Sequence, residues 1–252
     1  MKNFFIAISL TILFTQCQVE EQAESKSTDL NQTIPVDTIN EEALIVNNIE
    51  LFKITQDVFP DAILEMNTPS ENQNFKSASN IGFNFNAVNF KFENGSHVAL
   101  WLPNQKTQRI TKADYQTKLD NGNYTAIAFL CDEQELSIKQ PEAYVLRSFN
   151  VGKVEKPEND TDSVMVILNN PLTKPTSNPI IDFYLVNTNI SKSGNKVLLT
   201  IDKNEFQLHN WSAYKVNGLA KGKHKIKIQL LDNNGTKLQS LFTADSTTIE
   251  VE

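Results

Sequence analysis

The chain has 252 residues, a net charge of −7, 40% hydrophobic residues and only two cysteines. That length allows one or two domains of ~100–200 residues each, and the acidic balance excludes a nucleic-acid binder, which needs a basic face. Much of the charge is local: between Gln18 and Leu44 seven acids face one base, so the remainder of the chain is close to neutral.

Lys2 precedes an apolar run from Phe4 to Phe14. A membrane span needs ~20 residues, so this run is too short and reads as a secretory signal. Cys17 follows directly. Residues 1–16 therefore resemble a bacterial lipoprotein signal peptide, with Cys17 as the lipidated N-terminus, although Phe14 and Gln16 stand where Leu and a small residue are usual. Residues 17–45 are polar and acidic with no sustained periodicity. Such a segment buries too little apolar surface to offset its ordering entropy and is expected to be a flexible tether. The expected location is the bacterial cell envelope, as an outer-membrane lipoprotein, periplasmic or surface-exposed, held to the membrane by the lipid on Cys17.

A first β-module is expected over residues 46–153. Its opening is ambiguous: Ile45, Ile49 and Phe52 suit a short helix, whereas Ile49 and Leu51 suit a strand. Asp61 to Met66 reads as a strand stopped at Asn67-Thr-Pro69. Asn80 to Phe90 alternates with Ile81, Phe83, Phe85 and Ala87 on one face, and Glu93-Asn-Gly95 is a turn. Ser96 to Leu102 is a strand, Asn104 to Lys118 a polar connection, Tyr124 to Leu130 a strand, Asp132 to Glu142 an acidic loop, and Ala143 to Val151 the closing strand. Residues 154–162 are polar with Pro157 and read as a linker. A second module over 163–252 repeats the order, with strands near Val164 to Leu168, Ile180 to Asn187, Lys196 to Asp202 and Thr247 to Val251.

The repetition is explicit. Leu119-x-x-Gly122-x-Tyr124 followed by alternating apolar residues returns as Leu219-x-x-Gly222-x-His224, an offset of 100, and Tyr115 and Tyr214 match at an offset of 99. Glycine supplies the positive φ that tight corners often need. Two β-modules with short strands predict an all-β chain of two tandem immunoglobulin-like β-sandwich domains after the signal and tether. L-x-x-G-x-Y before a strand matches the tyrosine corner of such sandwiches, where the hydroxyl bonds nearby backbone. In the second module His224 takes that place.

Ser96-His-Val-Ala-Leu-Trp-Leu-Pro-Asn-Gln105, Leu119-x-x-Gly122, Ala128-Phe-Leu130, Ser137 to Val145, Ile181-Asp-Phe-Tyr-Leu-Val-Asn-Thr188 and Trp211-x-x-Tyr214 together resemble a family of flavobacterial-type Bacteroidetes two-module β-sandwich lipoproteins. The similarity spans most of residues 60–245. Some members are labelled phosphopeptide-binding, and the family pattern holds three histidines: H-x-H, where this chain has His97 and Ala99, and one in the loop that here reads Asp132 to Leu136. The resemblance thus implies that one of three imidazoles remains. The label finds little support in a chain with two arginines, Arg109 and Arg147, because phosphopeptide sites usually employ arginine clusters.

The candidate residues point to binding more than to catalysis. Cys131 ends an apolar strand beside Asp132, Glu133 and Glu135, which oppose thiolate formation, so it reads as a buried hydrophobe. His97 with Glu133 and Glu135 is the candidate small-ligand or metal site, with too few donors for tight zinc binding. Trp101 and Trp211 read as packing residues, with a sugar-stacking platform as the alternative. Lys221, Lys223, Lys225 and Lys227 form one cationic strand face, either solvated or docking an acidic partner. No H-E-x-x-H, G-x-S-x-G, Walker or G-x-G-x-x-G motif occurs. The expectation is a non-enzymatic envelope lipoprotein with no cofactor, whose two modules bind or scaffold a protein or glycan partner. The alternative is a ligand- or metal-binding lipoprotein using His97 and its nearby acids.

Overall fold

A computed structural model describes residues 43–77, 79–153, 162–169, 175–239 and 242–252. The expectations for the signal peptide, for Cys17 and for most of the tether and linker fall outside the described residues. Apart from a single 3-10 turn (Pro141–Ala143), every regular element described is a strand, and no helix is long and apolar enough to cross a membrane among these residues.

The first described elements are a hairpin, β1 (Leu44–Val46) and β2 (Ile49–Lys53). Its turn residues Asn47 and Asn48 both have positive φ, 47° and 66°, the conformation that two-residue hairpin loops require and that Asn tolerates. The first sandwich then uses β3 (Ile63–Thr68), β4 (Gln73–Phe75), β5 (Ser79–Val88), β6 (His97–Trp101), β7 (Gln108–Ile110), β8 (Asp114–Leu119), β9 (Gly122–Cys131) and β10 (Tyr144–Val151). One sheet runs β3-β5-β8 and the other β4-β10-β9-β6-β7. All pairs are antiparallel except β4 with β10. The second sandwich uses β11 (Met165–Asn169), β12 (Ile180–Val186), β13 (Lys196–Ile201), β14 (Asn204–Leu208), β15 (Tyr214–Asn217), β16 (Gly222–Leu231) and β17 (Ala244–Val251). Its sheets run β1-β2-β15-β12-β11 and β14-β13-β16-β17. Two sheets facing each other with this strand order make each module an immunoglobulin-like sandwich. The polar connections expected around Tyr115 and Tyr214 contain the pairs β7, β8 and β14, β15, whose short polar-faced strands show little periodicity.

Each sandwich fills its interior with the inward residues of both sheets. In the first these include Phe83, Leu100, Ala128 and Phe149; in the second, Phe183, Leu199, Ile228 and Leu230. The module boundary expected at residue 46 is corrected by the strand pairing. β2 hydrogen-bonds to β15, with Leu51 opposite Val216, and Leu51 and Ile49 pack in the second core. From Leu44 the chain therefore runs first through the second module, crosses to build the first, and returns. Gly218, φ +83°, fits this hairpin closely: a Cβ there would lie 2.0 Å from the Asn48 carbonyl oxygen.

The duplicated corners close as predicted but by different chemistry. Tyr124 donates its hydroxyl to the Asp120 carbonyl at 2.9 Å. His224 Nε2 lies 2.8 Å from the Ala220 carbonyl, the same four-residue reach. The two glycines differ. Gly222 has φ +128°, whereas Gly122 lies outside the positive-φ region, and a Cβ on it would meet Tyr124 at an ordinary 3.6 Å. The expectation of positive φ thus holds at Gly222 and is corrected at Gly122. Gly222→Ala should destabilise the protein by about 1–2 kcal/mol, the cost of an L-residue in that region. Gly122→Ala should leave the unfolding free energy from urea denaturation within about 0.5 kcal/mol of wild type.

Candidate functional site

The residues expected to hold a metal come to one end of the first sandwich, where the β5–β6 loop meets the turn after β9. They are committed to other partners there. His97 is buried on β6 opposite Cys131, and its Nδ1 lies 3.0 Å from the Gly95 carbonyl. Burial, assisted by Arg109, holds its pKa below the ordinary 6.5. Glu135 sits 3.4 Å from the Arg109 guanidinium, and Glu133 accepts from Asn94 at 3.1 Å. Among the described residues no three His, Cys, Asp or Glu side chains form a group able to hold a metal ion.

Glu135 has instead a backbone role. Asp132 Oδ1 accepts from the Gln134 and Leu136 amides, both at 2.9 Å. Asp232 Oδ1 does the same for Asn234 and Thr236, at 2.9 and 2.8 Å. In both turns the residue before the last is left-handed: Glu135 at φ 63° and Gly235 at φ 82°. A glutamate in the conformation that its counterpart assigns to glycine marks a position held by its surroundings.

Those surroundings are the join between modules. Residues 40–252 form one compact unit, and a third core lies between the sandwiches. It combines Ala99, Ile127, Phe129 and Cys131 from the first with Met165, Ile167, Tyr184 and Val186 from the second. Phe129 stacks on Tyr184 with ring centroids 4.6 Å apart, and Tyr184 donates to the Gln140 carbonyl at 3.0 Å. At its edge Asp182, whose side chain is 0% exposed, pairs with Lys139 at 2.5 Å. The same carboxylate accepts from the Ser137 amide at 2.7 Å and Asn169 Nδ2 at 2.8 Å, and Asn169 also donates to the Glu135 carbonyl at 2.9 Å. Sequence reading missed Asp182. Its signal was an acid inside an otherwise apolar strand, Ile180 to Val186.

The remaining candidates are structural. Cys131 is wholly buried, and burial followed by the nearby Asp182 charge pushes its thiol well above the ordinary range. Trp211 joins the third core, its Nε1 donating to the Phe183 carbonyl at 3.1 Å. Trp101 lies at the rim against Phe242. Arg147 reaches Glu71 and the Met66 carbonyl. Lys223, Lys225 and Lys227 are exposed on the outer face of β16. Two of the open clefts lie beside candidate residues. One, of about 860 Å³, opens beside Phe59, Phe90, Lys91, Glu93 and Glu133. The other, of about 580 Å³, lies between the modules and is lined by Trp101, the 104–107 loop and β17.

The His224 ring faces two acceptors. Nδ1 lies 2.8 Å from Asp202 Oδ2 while Nε2 faces the Ala220 carbonyl. A neutral imidazole donates through one nitrogen only, so the doubly protonated ring alone satisfies both.

No known protein family matches the chain, and no curated protein matches it. Among solved structures, the fibronectin(III)-like modules of Clostridium thermocellum CbhA give a TM-score of 0.29 at 14% identity, covering 75% of this chain and 94% of that chain. The two tandem V-type regions of VCBP3, a v-region-containing chitin binding protein, give 0.24 at 7% identity, covering 75% and 99%. The Bacteroides ovatus mixed-linkage glucan utilization locus protein SGBP-B, solved with a mixed-linkage heptasaccharide, gives 0.24 at 12% identity, covering 83% and 71%. At these scores the likenesses carry no argument, and the fold assignment rests on the strand pairing itself.

Two outcomes test this description. Asp182→Ala should destabilise the body by about 3–5 kcal/mol, because it strands Lys139 and the Ser137 amide in a dry interface. Combining Asp182→Leu with Lys139→Met should recover part of that loss in urea denaturation. The second test is pH. Burial works to lower the His224 pKa, but Asp202 and the Ala220 carbonyl outweigh it and hold it above the ordinary 6.5. Its stabilisation is full below 6.5 and is lost as pH rises through the raised value. The His224 hydrogen bond holds Asp202 below its ordinary 3.8, so that contribution is lost only as pH falls through the lowered value. Wild type should therefore lose stability as pH rises above the ordinary 6.5, and His224→Tyr, which restores a neutral donor, should flatten that decline.

Proposed function

We propose that this protein is a non-enzymatic cell-envelope lipoprotein, lipidated at Cys17, whose two immunoglobulin-like sandwiches act as one rigid binding or scaffolding body. One observation carries the reading: the third core with its buried Asp182–Lys139 pair fixes the two modules against each other. Rigid relative placement serves presentation of a composite surface, since it removes the ordering cost that a flexible pair would meet on binding. The commitments of the reactive side chains agree with this. His97 and Cys131 are buried, and His224 closes a corner. The immunoglobulin-like fold is compatible with binding or scaffolding in general.

The anchoring half of the reading rests on the apolar run before Cys17 and the acidic segment after it. Cys17→Ser should move the protein from the membrane fraction to the soluble fraction of a bacterial host, with loss of labelling by a radioactive fatty acid. A variant that stays membrane-bound and labelled would show that the anchor lies elsewhere.

A further inference from the structure

The two tryptophans differ in one respect that bears on ligand binding. The Trp211 indole N–H is bonded to the Phe183 carbonyl inside the third core. The Trp101 N–H has no hydrogen-bond partner among the described residues, and its ring lines the inter-module cleft of about 580 Å³. Phe242 meets Trp101 edge-on at 4.9 Å and 78°, which fixes the ring at the cleft wall. The cleft volume lies within the ~300–1,000 Å³ range of small-molecule sites.

Around this ring the lining is polar and nearly uncharged. The β6–β7 loop contributes Asn104, Gln105 and Thr107, and β17 contributes Ser246 and Thr248. None of these side chains has a hydrogen-bond partner among the described residues. They offer amide and hydroxyl groups that both donate and accept. Lys106 and Asp245 are the charged residues of the lining and cancel in sign. Asp245 is already bonded to the Leu168 and Ser246 amides, at 2.9 and 2.7 Å.

We propose that this cleft binds a neutral carbohydrate chain. A pyranose presents an apolar C–H face, which suits the flat indole, and a rim of hydroxyls that act as donors and acceptors together, which suits amide and hydroxyl side chains. A single, offset cation makes the site unsuited to anionic polymers. β17 is an edge strand at this cleft, along which an extended peptide could add, but the free groups of the lining are side-chain amides and hydroxyls, which suit the hydroxyl rim of a sugar. Because the walls come from both sandwiches, the site exists only while the third core holds them together. The proposal names a ligand class for the binding role proposed above and rests on that reading.

The test is affinity electrophoresis of the full-length protein in non-ionic detergent. Separate native gels would contain hydroxyethyl cellulose, laminarin, galactomannan or glucomannan, with polygalacturonate as the anionic control. Retardation is expected in at least one neutral gel and not in the control. Gln105→Ala combined with Thr248→Ala, both outside the cores, should weaken it about tenfold or more. Trp101→Ala should abolish it, with a thermal melt checking that the variant is folded; Trp101→Phe, which keeps a ring, should retain part. No retardation in any neutral gel, retardation only in polygalacturonate, or equal retardation of the double variant would overturn the assignment. Such a failure leaves anchoring through Cys17 to be judged by its own fractionation result.

Discussion

A buried carboxylate needs its donors within reach, and the structure around Asp182 follows from that requirement. Leaving such a charge unpaired in a dry interior would cost several kcal/mol. Of its donors, Lys139 Nζ and the Ser137 amide belong to the first module and Asn169 to the second. The two sandwiches can therefore meet in one register. The apolar contacts supply driving force, with Phe129 stacked on Tyr184 worth ~0.5–1.5 kcal/mol beyond area burial. Apolar faces tolerate sliding, whereas the carboxylate does not. The turn from Asp132 to Leu136, with its left-handed Glu135, is shaped to bring Ser137 and Lys139 to this point.

The docking also shows how two copies of one fold have diverged. β5 and β12 are equivalent strands. The outward positions of β5 hold Asn84 and Asn86, which bond to Asp114 and Glu65 at the surface. The outward positions of β12 hold Asp182 and Tyr184, both buried. β9 and β16 diverge in the opposite sense. Ile127, Phe129 and Cys131 face the join, while the matching Lys227 is exposed to solvent. Each copy has one apolar outer sheet face, on opposite sheets, and each face covers the other. Closed antiparallel stacking of identical copies would not give this arrangement.

The candidate site teaches a narrower point about side chains near one another in sequence. His97, Glu133 and Glu135 do arrive at one end of the first sandwich, as their strand and loop positions implied. What sequence spacing left out was competition. Arg109, two strands away along the sheet, takes Glu135, Asn94 takes Glu133, and Gly95 takes His97. Burial of a basic group and neutralisation of an acid depend on neighbours distant in the chain. The corner residues behaved differently because their acceptors lie four residues back, a local geometry that sequence does encode. His224 was legible there as a substitute for tyrosine, but its second bond, to Asp202, came from a different strand.

The sequence by itself determined the class of the fold, the duplication and most of the strands, because alternation with period two and turn residues are local properties of a half-buried sheet. It also carried, unread, the sign of the docking: Ala126 to Cys131 is apolar at every position, the mark of a strand covered on both faces, while Lys223 to Ile228 alternates. The tertiary structure decided what depends on distant partners. It assigned the 44–53 hairpin to the second module, since an edge strand is placed by the free edge it finds, here β15. It set the Asp182 network and left the Trp101 ring at the wall of an inter-module cleft. None of these follows from periodicity, because each is a contact between faces whose partner lies scores of residues away.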